Sequence, residues 1–253
     1  MFNPLRLSLA RRRRKFTKKA LAEAAGFDQK TIIRYESGEV DPPAESVASL
    51  ATILQFPQLF FFGSDVDEPS AEAASFRSLS TMPARDRDAA LAAGAFAFMF
   101  NDWVDSRFHL PEADVIECKE DTDPEAAARI LREKWGVGER PIRNMVHLLE
   151  SKGIRVFSLA ENTKTVDAFS MWRNDVPFVF LNTTKTAERS RFDAAHELGH
   201  LVLHKHGGPQ GGRLVEDQAN QFASAFLMPE SQVRAKIPRV DSLINIVEGK
   251  LYW

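Results

Sequence analysis

The sequence predicts an α+β fold in which an N-terminal all-α bundle precedes a domain that combines helices with a small sheet. Three observations predict this fold. Apolar residues recur with helical spacing, between N-caps and glycines, up to about residue 62. Three short segments between residues 154 and 182 are rich in β-forming side chains. The length of 253 residues fits two domains of this kind as well as one large domain.

The N-terminal module is predicted to be a bundle of short helices. Pro4 can open the first helix, where the missing N–H of proline costs nothing. Thr17 is a good N-cap for the second helix, and Gly26 suits the left-handed position that ends it. The helices after the first are predicted over 18–25, from Asp28 to about Ser37, over 44–54, and from Pro57 through residues 59–62 for a short closing helix.

Two short helices around a glycine turn, followed by a polar helix, describe a helix-turn-helix. The residues TKKALAEAAGFDQKTIIRYESGE also resemble the Cro/repressor-like (XRE) helix-turn-helix family, over nearly all of residues 5–62. This resemblance implies a double-stranded DNA operator as partner, with the helix from Asp28 in the major groove. By the same resemblance four residues are structural: Ala22, Gly26, Ile32 and Tyr35.

The candidate DNA contacts lie on and beside this third helix. Glutamine, lysine and arginine have the donors and acceptors that read adenine and guanine edges. Lys18 and Arg14 are better placed for phosphates, which position a protein without specifying sequence. The alternative is a helical protein-docking module with no role on DNA. The candidate base-reading side chains are Gln29, Lys30, Thr31 and Arg34.

Charge is distributed unevenly along the chain. The whole sequence holds 33 Lys and Arg against 35 Asp and Glu, a net charge of −2. Residues 1–40 hold ten Lys and Arg against four Asp and Glu, or +6, so the other 213 residues carry −8. This polarity favours a basic module that meets a polyanion, joined to an acidic body. The alternative is a solvated charge run, and the run from Arg11 to Lys15 is expected to face mostly toward solvent.

An acidic stretch of small residues from Gly63 to Ser75 marks a domain boundary. An Ala-rich helix is predicted from Ala84 to Phe108, and its apolar face is interpreted as core or as a dimer seam. A homodimer would suit a helix-turn-helix, because two half-sites multiply affinity. The apolar stripe on this face of the helix consists of Leu91, Phe96, Met99, Phe100 and Trp103. The predicted parts are a helix-turn-helix domain over 1–65, a linker and connecting helix over 66–110, and a second domain over 111–253.

The second domain is predicted to mix helices and strands. Residues 173–176 form a hairpin-like polar turn between its second and third strands. We expect the strand from Pro177 to Leu181 to be an edge strand that binds an extended peptide through unpaired N–H and C=O groups. The predicted helices cover 124–135 and 142–152, and the predicted strands cover 154–159, 168–172 and 177–182.

A helix after the third strand carries the run His196-Glu197-Leu198-Gly199-His200. Residues four apart in a helix differ by about 40° of rotation and about 6 Å of rise, so both imidazoles point the same way. Two such imidazoles can bind one Zn²⁺, as in the zinc-peptidase HExxH motif, and Glu197 can take a proton from metal-bound water. The alternative is two surface histidines on an ordinary helix.

A catalytic zinc needs a third protein ligand and one open position. His204 lies one further turn along the same face, so a straight helix cannot bring it to one ion together with His196 and His200. His204 and His206 are therefore interpreted as residues that orient a metal ligand, that face the substrate or that are simply exposed.

The better candidate for the third ligand is Glu216, on a later amphipathic helix. Asn220, one turn further on the same edge, can accept a hydrogen bond from the distal N–H of His196 and orient it. This resembles the gluzincin arrangement, in which HExxH is followed by Glu-x-x-x-Asp, with Asn in place of Asp here. Asp217 and Glu230 are the competing carboxylates.

The segments RSRFDAAHELGHLVLH and EDQANQFASAFLMP resemble the ImmA/IrrE family of zinc metallo-endopeptidases, over roughly residues 120–230. The resemblance implies a zincin-like α+β domain over 111–253 and a repressor-type DNA-binding protein as substrate. The family pattern continues beyond Trp253, so we expect either a truncated chain or one that ends where a further sensory domain would begin.

Two functional hypotheses follow. In the first, the chain is a DNA-binding regulator and zinc endopeptidase in which His196, His200 and Glu216 hold Zn²⁺ and Glu197 is the general base. Candidate donors to the oxyanion are His204, His206 and Arg213. In the second, the chain is a transcriptional repressor or antitoxin whose peptidase-like domain is a non-proteolytic sensor or docking element.

The remaining composition predicts the compartment. The single cysteine, Cys118, excludes an intramolecular disulfide framework and cysteine-rich zinc sites, and we interpret it as a buried, unreactive thiol. No apolar run reaches the roughly 18 residues of a membrane-spanning helix, and the basic N-terminus is not followed by the apolar stretch of a secretory signal. A cytoplasmic protein with no membrane partner is expected.

Overall fold

The computed structural model describes residues 1–69, 83–119, 121–159, 168–204 and 212–236. His206 and the part of the predicted linker beyond Pro69 lie outside these residues. The described residues form two compact units, one up to Phe108 and one from His109 onward. Among the helices of the described ranges, none combines the length and the apolar composition that a membrane span requires.

The described residues of the first unit are helical or lie in turns and loops. Thr17 caps the second helix by accepting from the Ala20 N–H at 3.0 Å, and Gly26 ends it with φ of 70°. The second and fourth helices have the bounds that the sequence predicts, and the closing segment is a 3₁₀ helix. The elements are α1 Pro4–Arg13, α2 Lys18–Ala25, α3 Gln29–Glu36, α4 Ala44–Leu54, the 3₁₀ helix Gln58–Phe62 and α5 Ala84–Asp105.

Arg11 is buried, so the expectation that the basic run faces mostly toward solvent is wrong for this residue. Its Nε lies 2.6 Å from Glu36 Oε1, and its Nη1 donates to the Phe16 carbonyl at 2.8 Å. These contacts connect α1 to α3 and to the turn before α2. Local periodicity could not reveal a partner that lies 25 residues away in sequence.

The buried face of α5 consists mainly of alanines, and it packs against α1. Of the apolar stripe predicted for this helix, Leu91 is buried, whereas Phe100 and Trp103 are 57% and 50% exposed. Small side chains allow two helices to approach closely, and this explains why alanines rather than the large residues cover α1.

In its described residues, the second unit combines helices with a three-stranded sheet, so the predicted α+β class is confirmed. One apolar core joins the sheet to the helices around it. Asn174 and Asp175 form the predicted hairpin turn, with φ of 48° and 62°. The elements are α6 Pro124–Lys134, α7 Met145–Ser151, β1 Arg155–Leu159, β2 Ala168–Arg173, β3 Val176–Asn182, α8 Ala187–Leu203, α9 Arg213–Leu227 and α10 Glu230–Lys236.

The order of the described strands is β1-β3-β2, so the expectation that residues 177–181 form an edge strand is wrong. β3 pairs with β1 in parallel and with β2 in antiparallel orientation, and residues 177–182 are all buried. A nearly continuous apolar run is typical of a central strand, because both faces of the strand are covered. The sequence PFVFL therefore indicates a central position.

Candidate functional site

Helix α8 presents His196 and His200 on one face. Thr186 caps the helix by accepting from the Arg189 N–H at 3.3 Å. The Nε2 atoms of the two histidines lie 3.0 Å apart, and the side chain of His200 is only 7% exposed. The opposite face of α8 packs into the core through Leu198. The one-turn spacing of the motif thus places both imidazoles at a common point, as predicted.

Helix α9 brings the carboxylate of Glu216 to the same point. Its Oε2 lies 3.5 Å from Nε2 of His196, and its Oε1 lies 3.7 Å from Nε2 of His200. One ligand atom from each of the three residues lies within 4.8 Å of the other two. The structure therefore brings together the three residues that the sequence predicts to be ligands.

The described ion pairs of the two competing carboxylates are with arginines on their own helices. Asp217 is exposed and faces Arg213 at 3.7 Å, one turn back along α9. Glu230 pairs with Arg234 at 2.6 Å on α10. Neither belongs to the described cluster, so the geometry favours Glu216 as the third ligand.

Gly199 allows α9 to approach α8 this closely. A Cβ atom at Gly199 would lie 3.1 Å from Cδ1 of Phe222 and 3.3 Å from Cα of Ala219. Such contacts are tighter than side chains normally accept in a packed interior. The residue between Leu198 and His200 therefore determines how near α9, with Glu216, can lie to the histidines.

A hydrogen bond orients His196. The Oδ1 atom of Asn220 lies 3.0 Å from Nδ1 of His196. An amide oxygen can only accept, so Nδ1 of His196 carries a proton, and Nε2 of the neutral ring has the lone pair. Asn220 thus occupies the position that the sequence predicts for it, and the lone pair of His196 points toward the cluster.

The three side chains fit a tetrahedral zinc. Bonds of about 2.0–2.1 Å separate neighbouring zinc ligands by about 3.3–3.5 Å, and the distances here are 3.0, 3.5 and 3.7 Å. Two Nε2 atoms that both carry lone pairs repel each other at 3.0 Å, whereas a shared cation relieves that repulsion. The donor set of two imidazoles and a carboxylate also suits zinc chemically.

Burial and neighbouring charges shift the pKa values of the two histidines in opposite directions. It lowers the pKa of His200 well below the ordinary value, and the neighbouring His196 and His204 act in the same direction. Burial also lowers the pKa of His196, but the nearby carboxylates of Glu216 and Glu197 raise it overall. A neutral His200 is the form of imidazole that binds a metal ion.

The carboxylate of Glu197 is buried beside the histidines, and only 3% of the residue is exposed. The hydroxyl of Ser170, on β2, donates to Oε2 of Glu197 at 2.7 Å. Ser170 was not predicted from the sequence, although a lone polar residue in the apolar segment AFSMW is a detectable signal. This hydrogen bond fixes the carboxylate relative to the sheet.

The structure places only some of the predicted auxiliary residues near the cluster. His204 contacts His200, with 3.1 Å between their Nδ1 atoms. The side chain of Arg213 is 90% exposed and its Nε faces Asp217, so it has no described contact with the cluster. Oε1 of Gln218, a residue that was not predicted from the sequence, lies 3.1 Å from Nε2 of His204.

The predicted DNA-reading side chains occur together on α3. Asp28 caps this helix by accepting from the Lys30 N–H at 2.7 Å. Gln29, Lys30 and Arg34 are exposed, and Thr31 is half-buried. This row of donors and acceptors begins at the N-terminus of α3, so it has the arrangement of a recognition helix.

The two predicted phosphate contacts have internal partners. Arg14 donates to the Leu54 carbonyl at 2.8 Å and to the Gln55 carbonyl at 3.2 Å, which satisfies the C-terminal end of α4. Lys18 lies 3.4 Å from Glu36 and its side chain is 41% exposed. Arg14 therefore has a structural role that the sequence did not predict, and both phosphate contacts stay predictions.

Comparisons with known proteins identify both parts. Residues 5–59 match the model of a helix-turn-helix domain, and residues 149–247 match the model of the IrrE N-terminal-like domain, a peptidase family. Searches of curated proteins and of solved structures give no match. The chain therefore joins an XRE-like helix-turn-helix domain to an IrrE N-terminal-like domain.

Proposed function

We propose that this fusion of a helix-turn-helix domain with an IrrE N-terminal-like domain is a DNA-binding transcriptional regulator and a zinc-dependent endopeptidase that cleaves a repressor-type protein. One observation carries the proposal. Ligand atoms of His196, His200 and Glu216 converge within 4.8 Å, and the buried carboxylate of Glu197 directly follows the first of them in sequence. This combination is suited to hydrolysis of a peptide bond.

The proposed zinc ligands are His196, His200 and Glu216. When bound, zinc supplies an electrophile that polarises the scissile carbonyl and lowers the pKa of a water molecule toward about 7. Asn220 holds the imidazole of His196 in the tautomer that leaves Nε2 available. The fixed orientation of the ligand reduces the entropy lost when the metal binds.

Glu197 is the proposed general base. Its carboxylate accepts the proton of the attacking water and then returns it to the amine leaving group. The hydrogen bond from Ser170 holds Oε2 in place, and burial excludes bulk water from the carboxylate. The proton transfer therefore takes place at a positioned group rather than at a mobile one.

The proposed substrate is a peptide that binds beside α8, the helix that carries Glu197. Helix α8 packs against β2 and β3. In this placement the scissile peptide bond lies at the carboxylate of Glu197 and at the candidate ligands.

Replacement of Glu197 by Gln tests the chemistry. We expect the Glu197→Gln variant to retain zinc but to lose cleavage of repressor-type proteins, because an amide cannot accept the proton. Fragments are detected by intact-mass spectrometry of zinc-loaded protein incubated with candidate repressors. Glu150→Gln, an exposed change of the same type on α7, is the matched control and should cleave normally. Undiminished cleavage by Glu197→Gln contradicts the mechanism, and no cleavage by the wild type favours a non-proteolytic sensor.

The DNA-binding half is tested separately by mobility shifts on operator fragments selected with the wild-type chain. We expect a triple alanine variant of Gln29, Lys30 and Arg34 to bind at least about tenfold more weakly, because each lost base contact costs about 1–3 kcal/mol. The control is a double alanine variant of Lys119 and Arg129, which are exposed in the second unit. Unchanged affinity of the triple variant would show that α3 does not read DNA.

A further inference from the structure

A chain of hydrogen-bonding groups extends from His200 away from the candidate metal centre. Nδ1 of His200 lies 3.1 Å from Nδ1 of His204, and Nε2 of His204 lies 3.1 Å from Oε1 of Gln218. His200 lies on α8 and His204 directly follows the last residue of that helix, whereas Gln218 belongs to α9. The chain therefore connects the two helices that supply the candidate ligands.

The position of the proton on each ring determines whether Nε2 of His200 has a lone pair for a metal ion. The amide oxygen of Gln218 only accepts, so Nε2 of His204 must carry its proton. Nδ1 of a neutral His204 then has a lone pair and accepts from Nδ1–H of His200. Nε2 of His200 is left with a lone pair, and it faces Nε2 of His196 at 3.0 Å.

If these hydrogen bonds ran in the opposite direction, Nε2 of His200 would lose its lone pair. If a donor replaced the Gln218 oxygen, Nε2 of His204 would accept, and Nδ1 of His204 would donate to Nδ1 of His200. The proton of His200 would then sit on Nε2, which is the atom that faces Glu216 at 3.7 Å. A protonated Nε2 cannot bind a metal ion.

We propose that His204 and Gln218 are positioning residues that fix His200 in the Nδ1–H tautomer and so prepare its Nε2 for zinc. This inference rests on the metal site proposed above. His204 acts through His200 and does not itself contact the metal, because it lies four residues beyond His200, at the C-cap of α8. Asn220 performs the corresponding function for His196.

The first experiment measures the dissociation constant for zinc alone, in competition with a chromogenic chelator. We expect His204→Phe, which keeps a ring but removes both nitrogens, to weaken zinc binding about 10- to 100-fold. His147→Phe removes an exposed histidine on α7 and should bind zinc like the wild type. Circular dichroism checks that both variants are folded.

Substitutions of Gln218 test whether the direction of the hydrogen bonds, rather than packing alone, controls zinc binding. Gln218→Glu supplies only acceptors and should bind zinc at least as tightly as the wild type, whereas Gln218→Lys supplies only donors and should bind much more weakly. The same two substitutions at Gln221, exposed on α9, control for added charge. We expect the ratio of zinc affinities between the Glu and Lys variants to be at least about tenfold larger at position 218 than at position 221.

Nitrogen NMR of the histidine rings gives a second, direct readout in zinc-free protein. The wild type should show His200 protonated on Nδ1, and Gln218→Lys should show it protonated on Nε2. Equal zinc affinities for the wild type, His204→Phe and the Gln218 variants would overturn the proposal while leaving the zinc site intact. Absence of zinc binding by the wild type would overturn both this inference and the proposed function.

Discussion

At the residue scale, Arg132 shows how a single buried cation can hold separate segments together. The residue is 3% exposed, and its guanidinium donates to the carbonyls of Gly138, Arg140 and Phe226. Burial lowers its pKa to about 10, against an opposing effect of Glu139, so the group stays charged at neutral pH. Phe226 lies near the C-terminus of α9, so Arg132 holds the C-terminal end of the helix that carries Glu216.

Replacement of Arg132 by Met should lower the free energy of unfolding by about 2–3 kcal/mol. The aliphatic part of the side chain is preserved, but three carbonyl oxygens lose their donor. Urea denaturation followed by circular dichroism measures the change. Arg129→Met, an exposed substitution on the same helix α6, should change stability by less than about 0.5 kcal/mol. Equal stability of the two variants would show that these hydrogen bonds contribute little.

At the element scale, the packing of α9 on α8 determines the candidate metal centre. The sequence predicts each helix well, because capping residues and apolar periodicity act within a single element. It also predicts the convergence of His196 and His200, since one helical turn fixes that geometry. The contact of Gly199 with Ala219 was not predictable, because it depends on how two separate helices cross.

Replacement of Gly199 by Ala should therefore weaken zinc binding more than it weakens the fold. The new Cβ would lie 3.1 Å from Phe222 and 3.3 Å from Ala219, so α9 must shift by a few tenths of an ångström and carry Glu216 with it. We expect a loss of about 1–3 kcal/mol in stability, typical of overpacking, together with a measurable loss of zinc affinity. Chelator competition and thermal melts measure the two effects.

Relief of the contact provides the control for this prediction. The double variant Gly199→Ala, Phe222→Leu should recover part of the zinc affinity, because a smaller side chain removes the nearer contact. If Gly199→Ala binds zinc as tightly as the wild type, the close approach of α9 is not required for the site.

Strand order is the other feature at this scale that the sequence did not supply. The segments for β1, β2 and β3 and the hairpin between β2 and β3 were predicted correctly, but the pairing of β1 with β3 was not, because it joins residues that are distant in sequence. Ser170 illustrates the consequence: its contact with Glu197 follows from β2 lying against α8. An isolated polar residue in an apolar strand indicates a buried partner without identifying it.

At the scale of the whole molecule, the near-neutral net charge conceals a basic N-terminal segment of +6 and a remainder of −8. The structure refines this picture, since part of the positive charge is used internally. Arg11 is paired with Glu36, and Arg14 is bonded to carbonyls at the end of α4. The composition predicted a basic module, but the number of cations available to DNA depends on tertiary contacts that composition cannot show.

The salt dependence of DNA binding measures how many cations remain available. If Lys18 contacts a phosphate, Lys18→Ala should reduce the slope of log affinity against log salt by about 0.9, because one fewer counterion is released. Lys119→Ala, an exposed change in the second unit, should leave the slope unchanged. An unaltered slope in Lys18→Ala would assign this lysine to its ion pair with Glu36 instead.

The central claim is that Glu216 completes a zinc site with His196 and His200. Zinc titration of the wild type, Glu216→Gln and Asp217→Asn tests it most directly, because the two variants make the same chemical change at adjacent positions. We predict one tightly bound zinc per chain in the wild type, equal affinity in Asp217→Asn, and a loss of at least about 100-fold in Glu216→Gln. Wild-type affinity in Glu216→Gln, or a loss confined to Asp217→Asn, would contradict the account.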